Sequence, residues 1–360
     1  MNKFSILLLF CSSFCFAQPN LLNAKAPSEI GKKSEEQIKQ DNLTPLKYGY
    51  IDDRDVLFGK RIWEFIDIDE RINFPLYYPT KPLMDRIPLF DVLRQYVESS
   101  DKSGIDISKF CFEDDYFSQP LDPVVTKSKF KDFKLTEEGE TKVNTTLNPT
   151  KIDGAKEPEK FKKLCAQLIE DKQLKEGPDY KSAELNAEGV IGYKVQGYWY
   201  FDARLSEMKY RLLAIAPVAT SAKSIVDATF GQQAIENQYT QMVADQNSEL
   251  TEDQKKEKQV ALDKYNEMQA PDVLFWIYYP AIRDILKAHP AFNERNSSKP
   301  ITFDDLLVAR HFSGLIYKEE NVYGDRKIEE YMKDNALNQL LESERVKEKI
   351  RNLEHDMWAY

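Results

Sequence analysis

Acidic side chains are the first residues in this sequence that could do chemistry. Asp52, Asp53 and Asp55 fall within one short stretch, and Asp67, Asp69 and Glu70 form a second group. Carboxylates so close together could share general acid and general base roles, or hold a divalent cation. Neither group has the central glycine of a calcium loop. Both flank a segment that reads as a helix, where acids at the entry and mixed charge at the exit have ordinary electrostatic explanations. The histidines are His289, His311 and His355. None stands in a His-x-x-x-His spacing and there is no Cys-x-x-Cys, so zinc ligation has no support. His311, between Arg310 and Phe312 on an amphipathic stretch, reads as a surface or half-buried residue. Gly-x-Ser-x-Gly, phosphate-loop and dinucleotide patterns are absent, and 13 glycines in 360 residues leave few for phosphate-cradling loops. The residues point away from an enzyme and imply no metal and no cofactor. The competing reading is a secreted enzyme that uses Asp52, Asp53 and Asp55. A soluble carrier is a third, and it would need an apolar cavity.

The elements that would position any such groups begin after a leader. Lys3 precedes an apolar run from Phe4 to Phe10 that continues weakly to Phe16, and Cys15-Phe-Ala17 ends on small residues at the positions a signal peptidase reads. The run is too short to span a bilayer, so a secretory signal over 1–17, cleaved after Ala17, is expected. Phe10 and Phe14 precede Cys11 and Cys15, which argues against lipidation at either cysteine. Cys111 and Cys165 remain. An oxidising exterior permits a disulfide between them, and buried free thiols are the alternative. No later segment approaches the roughly 18 apolar residues of a membrane helix.

Charged residues make up 31% of the chain and the formal net charge is -10, which argues against nucleic acid as a partner. Residues 18–47 read as an extended arm. In 48–120, Asp52 to Asp55 read as a helix entry, Val56, Leu57, Trp63 and Ile66 as its apolar faces, and Asp67 to Arg71 as its exit. Asn73 to Pro79 then reads as an aromatic extended segment and Pro88 to Val97 as a short amphipathic helix. Lysine and acids dominate 121–190, which reads as a mobile charged insertion with one packed helix over Phe161 to Ile169.

The plainest signal is the hairpin 192–217. Tyr193, Val195, Trp199 and Phe201 alternate with polar or tyrosine positions, Ala203 to Glu207 turn, and Met208 to Ala216 return until Pro217 stops the strand. Residues 220–271 read as a second insertion, a helical pair rich in helix formers. Asp272 to Pro280 reads as a third, central strand. The final helix reads as capped by Ser343, with Val346, Ile350, Leu353 and Met357 on one face. Two short echoes, Tyr-Tyr-Pro at 77–79 and 278–280, and Leu57 to Trp63 against Leu306 to Phe312, would be a duplicated unit or chance. The fold class is α+β: a small antiparallel sheet (hairpin 192–217 plus strand 272–280) packed with amphipathic helices, the core spanning 191–219 and 272–360.

The chain contains 19 Tyr, 20 Phe and 4 Trp, several on strand faces that are otherwise polar. Such aromatics either anchor protein interfaces or lie inside a sheet buried on both sides. Interface candidates are Trp63, Tyr77, Tyr78, Tyr198, Tyr200, Tyr323, Arg326 and Trp358.

The strings Tyr48 to Asp55, Trp63 to Pro79, Gly197 to Asp202, Ile316 to Lys327 and Leu340 to Tyr360 closely resemble the GldN/PorN family, the N component of the gliding-motility and type IX secretion apparatus of Bacteroidetes. The resemblance covers 20–98, 192–218 and 272–360 and fades over both insertions. It implies a periplasmic structural protein without enzymatic activity. It also implies a ring beneath the outer membrane, built with an outer-membrane lipoprotein, the K component, and meeting the periplasmic shaft of the M component. In that role one edge of the sheet-helix core would face the lipoprotein, and the arm or helical insertion would reach a neighbour. The family has no catalytic motif to carry over.

Overall fold

The computed structural model describes residues 44–83, 86–98, 107–147, 152, 156–246, 251–293, 301–333 and 335–357. In chain order its strands are β1 (Val56–Asp67), β2 (Cys111–Phe112), β3 (Lys131–Leu135), β4 (Tyr180–Glu184), β5 (Val190–Asp202), β6 (Glu207–Ala219), β7 (Asp272–Val273), β8 (Trp276–Tyr278), β9 (Pro290–Ala291), β10 (Ile301–Thr302) and β11 (Leu315–Glu319). Its helices include α1 (Leu89–Glu98), α2 (Pro123–Phe130), α3 (Pro158–Glu170), α4 (Ala222–Gln246), α5 (Glu252–Met268), α6 (Tyr279–Ala288), α7 (Phe303–Val308) and α8 (Ala336–Met357). The class is α+β. An antiparallel sheet runs β11-β1-β5-β6-β8-β2, with β7 also on β6.

The hairpin β5–β6 is its spine, and it is longer than the alternation predicts. β6 does not end at Pro217: that residue pairs with Tyr193, and its carbonyl accepts the N–H of Leu274 at 3.0 Å. The missing proline N–H therefore falls on the side away from β5, where the ladder does not need it. A register shift at Gln196/Gly197 places Gly197 under Tyr210, whose ring atoms would lie 2.0 Å from a Cβ there.

Residues 56–67 are not a helix. They form β1, paired with β5 from Val56 opposite Asp202 to Asp67 opposite Gly192. Val, Ile, Trp and Phe favour the pleated, buried surface a central strand provides, and Asp53–Asp55 form only a single 3-10 turn before it. The expected central strand 272–280 is instead two short pieces, β7 and β8, with β8 lying between β6 and the outer strand β2. Leu274 and Phe275 interrupt it and are buried in the main core, and Tyr279 starts α6. The centre belongs to β5, between β1 and β6. Asn73 to Pro79 is not extended: Phe74–Tyr77 is a helical turn, with Pro75 early in it where a missing N–H is tolerated. The second echo does not mark a repeated unit, since Leu57 to Trp63 is strand and Leu306 to Phe312 is helix end and turn.

One face of the sheet carries Ile66, Tyr193, Val195, Leu212 and Ile215, which pack with α1, α6 and α7 in the main core. On the same face α8 sets Val346 and Ile350 against Ile62 and Ile316. The other face holds Trp63, Ala214, Ala216 and Trp276 under Phe112, Phe117 and Tyr317. The sheet is thus buried on both sides, which absorbs much of the aromatic content.

The 121–190 stretch carries more structure than a mobile insertion. β3 pairs with β4, and Leu135, Val143, Cys165, Leu168 and Leu174 form a small core beside them. α4 lies against this unit: Lys134 bonds Asp227 at 3.2 Å, and the ammonium groups of Lys134 and Lys181 stand over Phe230 at 5.4 and 5.5 Å. The two insertions therefore lean on each other. Cys111 and Cys165 are not bridged; both thiols are buried, in separate clusters.

Candidate interaction surfaces

A buried ionic seam separates the two apolar clusters on one sheet face. Glu64 stands between Ile62 and Ile66 on β1 and is buried. Arg310 reaches it with Nη2 2.6 Å from Oε2. Arg310 follows α7 in a left-handed conformation, φ 52°, within a C-terminal motif in which its N–H donates to Leu307 and that of His311 to Leu306. Glycine usually takes that position. Arginine at this position pairs its side chain with Glu64 Oε2, and the guanidinium also lies over Trp199, Tyr210 and Phe312 at 5.0, 4.9 and 5.4 Å. Burial pushes the Glu64 carboxyl above its ordinary range, with Arg310 and Lys347 pulling the other way.

On the opposite face a second polar group fixes a loop. Lys318 pairs with Asp115 at 2.5 Å, its ammonium 4.2 Å from the Trp63 ring centre and 4.6 Å from that of Tyr116. Arg61 pairs with Glu320 at 2.8 Å, and the Tyr116 hydroxyl donates to Asp325 at 2.6 Å. Burial raises the Tyr116 pKa, and its acceptor Asp325 raises it further. Asp325 also accepts the N–H of Asn321 at 2.8 Å, and the Asn321 side chain accepts that of Tyr323 at 2.9 Å. Gly324 and Asp325 adopt φ of 79° and 56° to close the turn. The result is an anchored loop that holds Val322 and Tyr323 outward, 93% and 71% exposed, with Arg326 5.0 Å from the Tyr323 ring.

The candidate residues divide by what packs on them. Tyr323 and Arg326 are exposed on this loop, and Tyr78 is exposed beside half-buried Tyr77, their rings 4.9 Å apart. Tyr198 is half-buried and stacks on Tyr200 at 6.1 Å. Trp63 and Tyr200, at 0% and 6% exposure, belong to the interior of the sheet and are not available to a partner. Trp358 lies outside the described residues. Of the acids, Asp52 is engaged by Arg54 at 3.1 Å, Asp55 by Arg204 at 3.1 Å, and Asp67 accepts the N–H of Asp69 at 2.9 Å. Among the described residues no three His, Cys, Asp or Glu side chains converge as for a metal ion. His311 is exposed.

Sequence reasoning missed one apolar stripe. Ser343 does not cap the last helix. Asn335 does, accepting the N–H of Asn338 at 3.0 Å, and α8 therefore begins two turns earlier than expected. The added turns present Leu337, Leu340 and Leu341, all exposed. Their i, i+3, i+4 spacing is the signal that could have found them. Contacts cover parts of the outer strands β11 and β2: Ser343 Oγ accepts the Ile316 N–H at 2.9 Å, Lys318 bridges to Lys327, and Phe112 to Pro120.

These features describe an α+β chain with fixed outward apolar groups, with Asp52, Asp55 and Asp67 engaged in turns and an ion pair. Residues 51–359 match the family model described as gliding motility associated protein GldN, and the chain belongs to that family. No curated protein matches the sequence.

Proposed function

We propose that this gliding-motility-associated protein is a periplasmic structural component of the type IX secretion apparatus. It is exported by a leader cleaved after Ala17 and lies at the inner face of the outer membrane. It forms a ring with an outer-membrane lipoprotein, the K component, through contacts with that partner and with further copies of itself, and the ring meets the periplasmic part of the M component. Its work is assembly rather than turnover, and membrane contact is indirect. Family membership supports the coarse reading. The observation that carries the finer one is the rigid display of Val322 and Tyr323, with the leucine stripe of α8, because pre-organised exposed apolar groups are what interface anchors require.

The test is the mass of the native particle released gently from the cell envelope, with co-purifying proteins identified. A megadalton-scale particle containing an outer-membrane lipoprotein is expected; a monodisperse monomer without partners overturns the proposal.

A further inference from the structure

Residues 46–50, neither helix nor strand, lie in a groove built by three arginines. Arg283 on α6 is buried and held by both oxygens of Asp304 at 2.9 and 3.0 Å. Its Nη1 donates to the carbonyl of Leu46 at 2.8 Å. Arg211 on β6 donates to the carbonyl of Gly49 at 3.2 Å, and Arg204 in the hairpin turn to that of Tyr50 at 3.1 Å. Between these contacts the Tyr48 ring lies 4.2 Å from the Arg283 guanidinium and 4.6 Å from that of Arg211. The side chains of Leu46 and Tyr50 are exposed.

The groove therefore reads three main-chain carbonyls and one aromatic ring held between two cations. Nothing in that recognition requires the segment to belong to the same chain. Emptying the groove would strip a buried guanidinium of an acceptor, so the site favours being filled, by its own segment or by an equivalent one. The segment joins the core through Ile51, ahead of a turn fixed by the Ala203 N–H on the Asp55 carbonyl at 2.8 Å, so rotation near Ile51 frees it without disturbing β1. An equivalent segment is carried, in equal number, by every copy of the protein, and contacts at β11 and β2 already cover parts of the sheet edges there.

We propose that this groove is an exchangeable peptide site, and that in an assembly of copies it takes the Leu46–Tyr50 segment of a neighbouring copy in place of its own. The choice of donor rests on the assembly reading above; the groove does not.

Two variants of the full chain separate donor from acceptor. Tyr48→Ala removes the ring and keeps the groove, and Arg211→Ala weakens the groove and keeps the segment. A labelled peptide of residues 44–52, blocked at both ends, should bind the Tyr48→Ala chain about tenfold or more tighter than the unaltered chain or the Tyr48→Ala/Arg211→Ala chain. The same peptide carrying Tyr48→Ala should not bind. Tyr48→Leu serves as acceptor if the alanine variant is unstable. Equal or no binding across the folded chains overturns the groove. Mixed together, Tyr48→Ala and Arg211→Ala chains should form a heterodimer in analytical ultracentrifugation that neither forms alone. Peptide binding without that heterodimer overturns exchange between copies. A large native particle found alongside either failure would leave the assembly reading standing, removing the groove in the first case and only the exchange in the second.

Discussion

The hydroxyl of Ser343, inside a helix, accepts the backbone N–H of Ile316 on the outermost strand of the sheet at 2.9 Å. One side chain thereby docks α8 and closes part of an exposed β edge, a position from which strands otherwise recruit other chains. Ser343→Ala should leave that buried N–H without a partner and cost about 1–3 kcal/mol. Chemical denaturation would measure it; an unchanged midpoint would show that the contact does not hold the edge.

Arg310 occupies a backbone position that suits glycine, yet Arg310→Gly should destabilise the protein. The backbone gain is about 1 kcal/mol, whereas leaving Glu64 buried without its partner costs about 3–5 kcal/mol. The loss should shrink on acidification. Burial raises the folded-state pKa of Glu64, so the folded state takes up the proton more readily than the unfolded one. Stability curves of the variant at pH 7.5 and 5 decide the matter, and a deficit independent of pH would count against this account.

Gly197 is where the sheet admits Tyr210. A Cβ added there would meet the Tyr210 ring at 2.0 Å. Gly197→Ala should cost about 1–3 kcal/mol by overpacking and loosen the ring from Arg310. Near-ultraviolet circular dichroism together with the melting temperature reports both effects; a variant as stable as the parent would mean the strand yields easily.

His289 is buried with Nδ1 2.8 Å from the carbonyl of Ile285 and its ring edge-on to Tyr96 at 5.6 Å. Burial lowers its pKa. Between about pH 6.5 and the lower folded value the unfolded chain binds more protons, so this histidine's contribution is complete above about 6.5 and is lost as pH falls. The slope it adds is at most about 1.4 kcal/mol per pH unit. His289→Phe should flatten the stability profile between pH 7.5 and 5.5, and an unaltered slope would assign the titration elsewhere.

The exposed loop and the leucine stripe call for a different readout. Val322→Asp with Tyr323→Ala, or Leu337→Asp with Leu341→Asp, should change stability by less than about 0.5 kcal/mol, because these side chains are in solvent. If they are interface anchors, association should weaken by about 2 kcal/mol or more, roughly 30-fold, in native-particle yield or pull-down. Full yield from both variants would place the interface elsewhere.

The parts of the fold that were legible in the sequence are those whose evidence is local. The hairpin alternates over neighbouring residues, the helical pair of α4 and α5 is dense in helix formers, and α1 falls within a residue or two of its expected span. The α+β class follows from these alone. β1 was not legible because both faces of its middle are buried, Ile62, Trp63 and Glu64 in succession, so the alternation that marks a half-exposed strand is lost there. The same burial hid the difference between Trp63 and Tyr323. As residue types they suit an interface equally well, but a sheet face and the Phe112 to Phe117 segment cover one, while a turn anchored by Asp325 holds the other outward. Ser343 misled for the matching reason: serine marks a helix start by local rule, and only a strand 27 positions away in sequence turns it into an edge contact. What the sequence alone determined was the set of local elements, the exclusion of familiar catalytic motifs and the family resemblance. Which aromatics are buried, which arginines meet in one groove and which edges are closed were decided by tertiary packing, because burial and long-range pairing depend on residues whose closeness the order of the chain does not encode.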